Sequence, residues 1–220
     1  VTPPAPRQTV AQIMRPSTLA FVGASEDQRK FGGRIFYNTM SLGFPGRIIP
    51  VNPKRETLFD LPCVPRVSQA DVTVDVAVIA VPREFVLDHI KDCGKAGVAC
   101  CVMITAGFTE TGDAGAALEQ QMVETARTHG MRLIGPNCLG LINTHAGLIM
   151  NSSPSMQEST HEPGGIGFIS QSGALMATVY NRGIGDGARF SSAISIGNQA
   201  DLELSDFLEW MAEDEATRVI

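Results

Sequence analysis

The chain is predicted to be α/β, a doubly wound parallel sheet followed by the opening of a second α/β unit. Three observations carry this. Short apolar runs alternate with segments of helical periodicity from residue 19 to residue 135. The connections between them are short, which favours right-handed crossovers that place helices on both faces of one sheet. After a looser stretch the same alternation begins again at residue 166.

The first run, Leu19-Ala-Phe-Val22, stops at Gly23-Ala24-Ser25, the pattern of a buried strand meeting a tight turn. Residues 31–42 place Ile35, Phe36, Thr39, Met40 and Leu42 mainly on one side of a helix, and Gly43 marks its end. The second strand, 47–51, contains Pro50, which suits an edge position or an irregularity. Residues 75–81 form an almost continuous run of β-forming apolar residues, as a strand covered on both faces requires. Phe85, Val86, His89, Ile90 and Cys93 then recur at helical spacing. A strand at 100–104, a helix at about 114–129 and a strand at 132–135 complete the unit.

Residues 143–165 are rich in Asn, Ser, Thr and Pro and read as a connection. The expected division is therefore a first domain at 8–143, a linker at 144–163 and a second unit at 164–220. That unit runs through a strand at 166–169, the turn Ser170-Gln-Ser-Gly173, a helix to about 182, a strand at 190–196 and a helix from 205. Residues 218–220 resemble the start of a further strand, so the chain is expected to be a piece of a longer one.

Composition narrows the classes of function. Hydrophobic residues make up 44% and charged residues 18%, as in a packed globular enzyme. Seventeen basic against twenty-three acidic residues give a formal charge of −6, so no general attraction for nucleic acid or an anionic membrane is expected. No apolar run approaches the roughly 20 residues that span a bilayer, and the first six residues lack a signal peptide's apolar stretch. A cytoplasmic location is the expectation. The five cysteines, Cys63, Cys93, Cys100, Cys101 and Cys138, form no C-x-x-C pair, which argues against a disulfide framework or a zinc site, and no metal site is expected. Cys138 follows a strand in a Gly-Pro-Asn-Cys turn, where packing is favoured over reactivity.

The turn Val22-Gly-Ala-Ser25 joins the first strand to the first helix, where backbone N–H groups and the helix dipole suit a pyrophosphate. An ordinary helix cap is the plain alternative. Gly23 permits close approach, Ser25 offers a hydroxyl, and Lys30 with Gly32 and Gly33 is expected to make the loop mobile and locally positive. The full glycine fingerprint of an NAD site is absent, as is an acidic residue after the second strand. That strand ends instead in Asn52-Pro-Lys-Arg55, two cations suited to an additional phosphate such as the 3′-phosphate of coenzyme A. A phosphorylated ribose of NADP fits this one signal equally.

Several spaced segments together resemble a known family. They are Pro16-Ser-Thr-Leu-Ala-Phe-Val-Gly-Ala-Ser25, Ile49-Pro-Val-Asn-Pro-Lys54, Ala80-Val-Pro82, Thr105-Ala-Gly-Phe108, Gly135-Pro-Asn-Cys-Leu-Gly140, Gly165-Ile-Gly-Phe-Ile-Ser-Gln-Ser-Gly-Ala174 and Gly197-Asn-Gln-Ala-Asp201. The chain resembles the front half of a nucleoside-diphosphate-forming acyl-CoA synthetase, the superfamily that includes the succinyl-CoA synthetase α subunit. The resemblance implies a Rossmann-like CoA-binding domain followed by an incomplete flavodoxin-like domain.

It further implies a set of contacts. Gly23, Ala24, Ser25, Lys30, Asn52, Pro53, Lys54 and Arg55 would serve the CoA phosphates, Val81 and Pro82 would border the nucleotide, and Thr105, Ala106, Gly107, Asn137 and Cys138 would line the pantetheine end. Ser170, Gln171, Ser172 and Gly173 would bind a transferring phosphoryl group or a phosphohistidine, where a serine N-cap is the alternative. In the family, phosphate converts the thioester to an acyl phosphate, and a histidine passes the phosphoryl group to ADP or GDP.

None of His89, His129, His145 and His161 matches that histidine, so no catalytic residue is assigned. The implied cofactor is coenzyme A or acyl-CoA, with ADP or ATP and Mg2+ bound only through domains outside these residues. The implied partners are a nucleotide-grasp domain or β-type subunit and a small carboxylic acid, in an oligomeric enzyme, and the chain alone is expected to be inactive. A CoA-sensing module attached to a protein acyltransferase, and an NADP-linked dehydrogenase-like domain, are the competing readings.

Overall fold

The computed structural model describes residues 9–220, so the proline-rich start and residue 8 of the expected first domain lie outside it. The chain runs α1 (Val10–Ile13), β1 (Thr18–Val22), α2 (Phe31–Ser41), β2 (Arg47–Val51), β3 (Thr57–Leu58), β4 (Leu61–Pro62), β5 (Val76–Ile79), α3 (Val86–Lys95), β6 (Cys100–Met103), α4 (Asp113–Thr128) and β7 (Arg132–Ile134). It continues through β8 (Gly140–Asn143), β9 (Leu148–Asn151), β10 (Ile166–Ser170), α5 (Gly173–Gly185), β11 (Phe190–Ser195) and α6 (Leu204–Glu213). Among these residues no helix is long and apolar enough to cross a membrane.

Five parallel strands form the first sheet in the order β2-β1-β5-β6-β7. Pro50 lies in β2 at the sheet's edge, opposite Phe21, where its missing N–H costs no ladder bond to a further strand. Strand β5 explains its own apolar run. Val76 and Val78 face one core and Ala77 and Ile79 the other, so the strand has no solvent side. Burying each of Val76, Val78 and Ile79 contributes about 1.5–3 kcal/mol. Helix α2 covers one face through Ile35 and Phe36, while α3 and α4 cover the other through Val86, Ile90, Met122 and Val123. The strand order reverses between β1 and β5, which opens a crevice at their carboxyl ends.

The stretch 144–163, expected as a linker, holds strand β9 and two short 3-10 segments. Strands β8 and β9 form an antiparallel hairpin that joins the second sheet in the order β10-β11-β8-β9, with β10 and β11 parallel and β8 antiparallel to β11. The physical reason is burial: Leu141, Ile142, Leu148, Ile149 and Met150 are all covered. Gly147 turns the chain at φ 64°, and the Asn143 side chain accepts from the Ala146 N–H at 3.2 Å. Leu141, Leu148, Met150, Ile194 and Trp210 belong to the same apolar cluster as Ile35, Phe36 and Val76, so the two sheets share a core. Past α6, Val219 bridges in parallel to Ile166.

Candidate functional site

The carboxyl ends of both sets of parallel strands open onto one cleft of about 930 Å³. Gly23 follows β1, Ala80 and Val81 follow β5, Ile104 to Ala106 follow β6, and Asn137 to Leu139 lie between β7 and β8. From the second sheet come Gln171 to Ala174, after β10, and Gly197 with Asn198, after β11. Two helices begin at its wall. Lys30 and Phe31 open α2, and Ser172 and Gly173 open α5, so two sets of first-turn N–H groups and two positive helix ends meet there.

Close backbone approach at β1 depends on glycine. A Cβ at Gly23, whose φ is 87°, would stand 2.4 Å from the Ala80 carbonyl oxygen, and one at Gly32 would stand 2.4 Å from the Gly23 carbonyl oxygen. Gly32 and Gly33 are buried in the first turn of α2 rather than forming a mobile loop with Lys30, because that turn packs directly on the β1 turn. At α5 the Ser172 hydroxyl accepts from the Leu175 N–H at 3.2 Å, and the Ser172 carbonyl accepts from Met176. Gly173 and Ala174 face the cleft. Ser172 is thus a helix cap and a cleft residue at once.

Of the residues singled out from sequence, Gly23, Lys30, Val81, Thr105, Ala106, Asn137, Cys138, Gln171, Ser172 and Gly173 line this one cleft. The others are not part of its lining. Ala24 is buried behind the turn, and the Ser25 hydroxyl accepts from the Asp27 N–H at 3.1 Å. Asn52 donates to the Ala24 carbonyl at 2.9 Å and accepts from the Lys54 N–H at 2.9 Å, which ties the end of β2 to the β1 turn. Pro53, Lys54 and Arg55 are exposed beyond it, as is Pro82 beyond Val81. Gly107 lies outside the wall, accepting from Arg83, and the Ser170 hydroxyl donates to the Ser172 carbonyl.

Cys138 is a packed thiol, buried where it meets the cleft. Burial pushes it up to about 12, and its sulfur donates to the Met103 carbonyl at 3.3 Å. The Thr105 hydroxyl donates to the Val81 carbonyl at 2.7 Å, locking two strand ends together. Among the described residues none of the four histidines lines the cleft. His145 contacts the Gly164 carbonyl, and His161 lies between Tyr180 and the Met156 carbonyl. Sequence reasoning missed the walls formed by Phe31, Ala80, Ile104 and Leu139, apolar residues with no chemical signature, and it gave Gly197 and Asn198 no role.

Comparison with known proteins supplies the relatives. A family model described as a CoA binding domain matches residues 17–144, and one described as a succinyl-CoA ligase like flavodoxin domain matches residues 163–220. The chain is 41% identical over 209 residues to the ADP-forming acetate–CoA ligase I of Archaeoglobus fulgidus, covering 95% of this chain and 30% of that protein. It is 39% identical over 208 residues to the α subunit of the ADP-forming acetate–CoA ligase II of Pyrococcus furiosus, covering 94% of this chain and 44% of that one. The solved structure of acetyl-coenzyme A synthetase 1 from Ca. Korarchaeum cryptofilum, in complex with phosphate and ADP, superposes with a TM-score of 0.90 at 40% identity, over 96% of this chain and 44% of that one. The chain therefore spans less than half the length of each of these relatives.

Proposed function

Given that the chain belongs to the CoA-binding domain family of the nucleoside-diphosphate-forming acyl-CoA synthetases, we propose that it is the CoA-holding part of an acid–CoA ligase acting on a small carboxylic acid. The observation that carries this reading is the meeting of two helix N-termini, those of α2 and α5, on one cleft that both sheets feed. One terminus suits the pyrophosphate of CoA, and the other suits a phosphoryl group in transfer.

The residues present fit coenzyme A. A Cβ at Gly23 or Gly32 would meet the chain's own backbone, so glycine lets the β1 turn and the first turn of α2 pack together. This sets the α2 N-terminus and Lys30 at the cleft, where a phosphate is suited. Asn52 holds the turn that carries Lys54 and Arg55, the cations we assign to the 3′-phosphate together with the backbone at Ala24, Ser25 and Pro53. Val81 and Pro82 border the nucleotide part of CoA, Thr105, Ala106, Asn137 and Cys138 enclose the pantetheine arm, and Gly107 supports that wall from outside. Coenzyme A supplies the thiol on which the thioester is made. The chain's own work is to bind and orient it, and to present Ser170, Gln171, Ser172 and Gly173 to an anionic group at the α5 end.

The nucleotide and its Mg2+ belong, in this reading, to a nucleotide-grasp domain or β-type subunit of an oligomeric cytoplasmic enzyme, and the phosphorylated histidine to the ligase-type unit, beyond its third strand. We keep the boundary between the CoA-binding unit and the ligase-type unit near residues 144–163, between the stretches the two family models match, although the β8–β9 hairpin pairs with the second sheet.

Titration of the chain with CoA, dephospho-CoA and NADP tests the reading. CoA should bind best, and equal weak binding of all three would overturn the cofactor assignment. Robust ATP-dependent acyl-CoA synthesis by the isolated chain would overturn the division of labour.

A further inference from the structure

Between β11 and α6 the chain crosses from the second sheet back to the first. The Asn198, Ala200 and Leu202 N–H groups donate to the carbonyls of Pro136, Gly135 and Leu133 at 2.9, 3.0 and 3.1 Å. Alternate residues of this strap thus run along the outer edge of β7 and continue past it. Gly197 makes the approach possible, since with φ 58° its Cβ would stand 2.1 Å from the Pro136 carbonyl oxygen.

Side chains fasten the strap at two points. Asp201, its side chain only 4% exposed, accepts from Arg132 Nε at 2.8 Å, from the Leu133 N–H at 3.0 Å and from Arg127 at 3.0 Å. Three residues earlier, Asn198 Nδ2 donates to Glu110 at 2.6 Å and to Glu119 at 2.9 Å, while Asn137 donates to Asn198 Oδ1 at 3.4 Å. One amide group therefore bridges two carboxylates that would otherwise repel.

What Glu110 does with its remaining capacity matters for the cleft. It accepts from the Gly107 N–H at 2.6 Å and the Phe108 N–H at 3.1 Å, fixing the loop that continues directly from Thr105 and Ala106 in the cleft wall. Burial works to raise the Glu110 carboxyl, but the bonds from Gly107 and Asn198 outweigh it and hold the group below the usual carboxylate range. A physical chain of contacts runs from the second unit to the wall of the first.

We propose that Asp201 and Asn198 are positioning residues, which use the strap to hold the loop 105–108 in the shape that receives the pantetheine end of CoA. The proposal rests on the reading of the cleft as a CoA site. Removing the Asn198 amide leaves Glu110 and Glu119 facing each other without a shared donor, and Glu110 then withdraws from the Gly107 and Phe108 N–H groups. Removing the Asp201 charge loosens the strap and takes Asn198 away from both carboxylates.

The test is made in the full chain, with two readouts. Hydrogen exchange needs no ligand: Asn198→Ala and Asp201→Asn should each quicken exchange at Gly107 and Phe108 about tenfold, with the β5 amides unchanged. CoA affinity should fall about tenfold in each, and the double variant should be no weaker than Asn198→Ala alone. Asn198→Ala combined with Glu119→Gln should recover most of the loss, because the new amide donates to Glu110 in place of the old one. Packing damage would not be rescued in that way.

If Asp201→Asn compromises folding, Arg127→Gln removes the two Arg127 bonds to Asp201, leaves those from Arg132 and Leu133, and serves as the milder probe. Unchanged exchange at Gly107 and Phe108 in Asn198→Ala, or no rescue by Glu119→Gln, overturns the proposal. A native chain that fails to bind CoA overturns the cofactor reading instead, and the exchange measurement still decides the role of the strap.

Discussion

The Cα of Gly23 lies so close to the backbone of the neighbouring strand that a Cβ placed on it would stand 2.4 Å from the Ala80 carbonyl oxygen. The two residues directly follow β1 and β5, the strands between which the sheet order reverses. The closeness that shapes the cleft floor thus comes from backbone packing, and only glycine permits it.

Gly23→Ala combines two penalties, a left-handed φ of 87° and an overlap with backbone that cannot turn aside. It should destabilise the fold by about 2–3 kcal/mol in urea unfolding and abolish CoA binding. Gly43→Ala separates the two effects. Gly43 has a φ of 82° with nothing within 4 Å of its Cβ position, so it should cost only about 1–2 kcal/mol of strain and leave binding intact. Equal behaviour of the two variants would contradict the close approach at Gly23.

Cys138 touches the cleft yet is only 2% exposed, and burial pushes its thiol up to about 12. A buried thiol held that far up stays protonated at pH 8 and is not ready for alkylation. Cys63 is the one half-exposed cysteine of the five, the other four being buried. Titration with a thiol reagent should count one slow thiol in the folded protein and five in denaturant. Rapid labelling of Cys138, located by peptide mapping, would show a reactive site where packing is expected.

The strands of the first sheet were legible because each is a mainly apolar run ending in a turn, with β5 the clearest. The β8–β9 hairpin was not, although Leu141-Ile142 and Leu148-Ile149-Met150 flank a turn ending in Gly147. Both strands are buried throughout, so neither shows the in-and-out alternation that identifies a hairpin, and the polar residues around them resemble a linker. The cleft divides in the same way. Strand-end glycines and the serine turn carry phosphate chemistry in their residue types, whereas Leu139 and Ile104 are ordinary apolar residues until the two sheets are brought together. Asn198 and Asp201 act across 79 and 69 residues of sequence, a separation no local pattern encodes.

His161 should make stability depend on pH. Its Nε2 faces the Met156 carbonyl and its Nδ1 the Tyr180 hydroxyl, both at 2.9 Å, so the ring donates at one nitrogen and accepts at the other. Burial holds its pKa below the usual 6.5, with the Met156 bond opposing more weakly. The unfolded chain therefore binds the proton more readily, and the stabilising contribution is present above pH 6.5 and lost as pH falls through the lower folded value. His89, also lowered chiefly by burial, adds a slope of the same sign. Denaturant midpoints should fall from pH 7 to pH 5. His161→Gln, which offers a donor and an acceptor but does not titrate, should flatten the curve in part, and an unchanged slope would remove His161 from the account.

Lys54 offers the sharpest test of which phosphate the first unit reads. Its backbone N–H is fixed by the Asn52 side chain at 2.9 Å, and the same side chain grips the Ala24 carbonyl at 2.9 Å, so the cation is carried on a turn tied to the phosphate-binding loop. The ammonium group itself is exposed and outside the main cleft, where a single charge contact is worth about 1 kcal/mol, or roughly fivefold in affinity. Lys54→Ala should therefore weaken CoA about fivefold and leave dephospho-CoA unchanged, narrowing the preference between them. The difference should shrink further in high salt, because an exposed pair is screened. An equal loss for both ligands would mean that Lys54 supports the turn without touching the 3′-phosphate, and no loss for either would place that phosphate elsewhere.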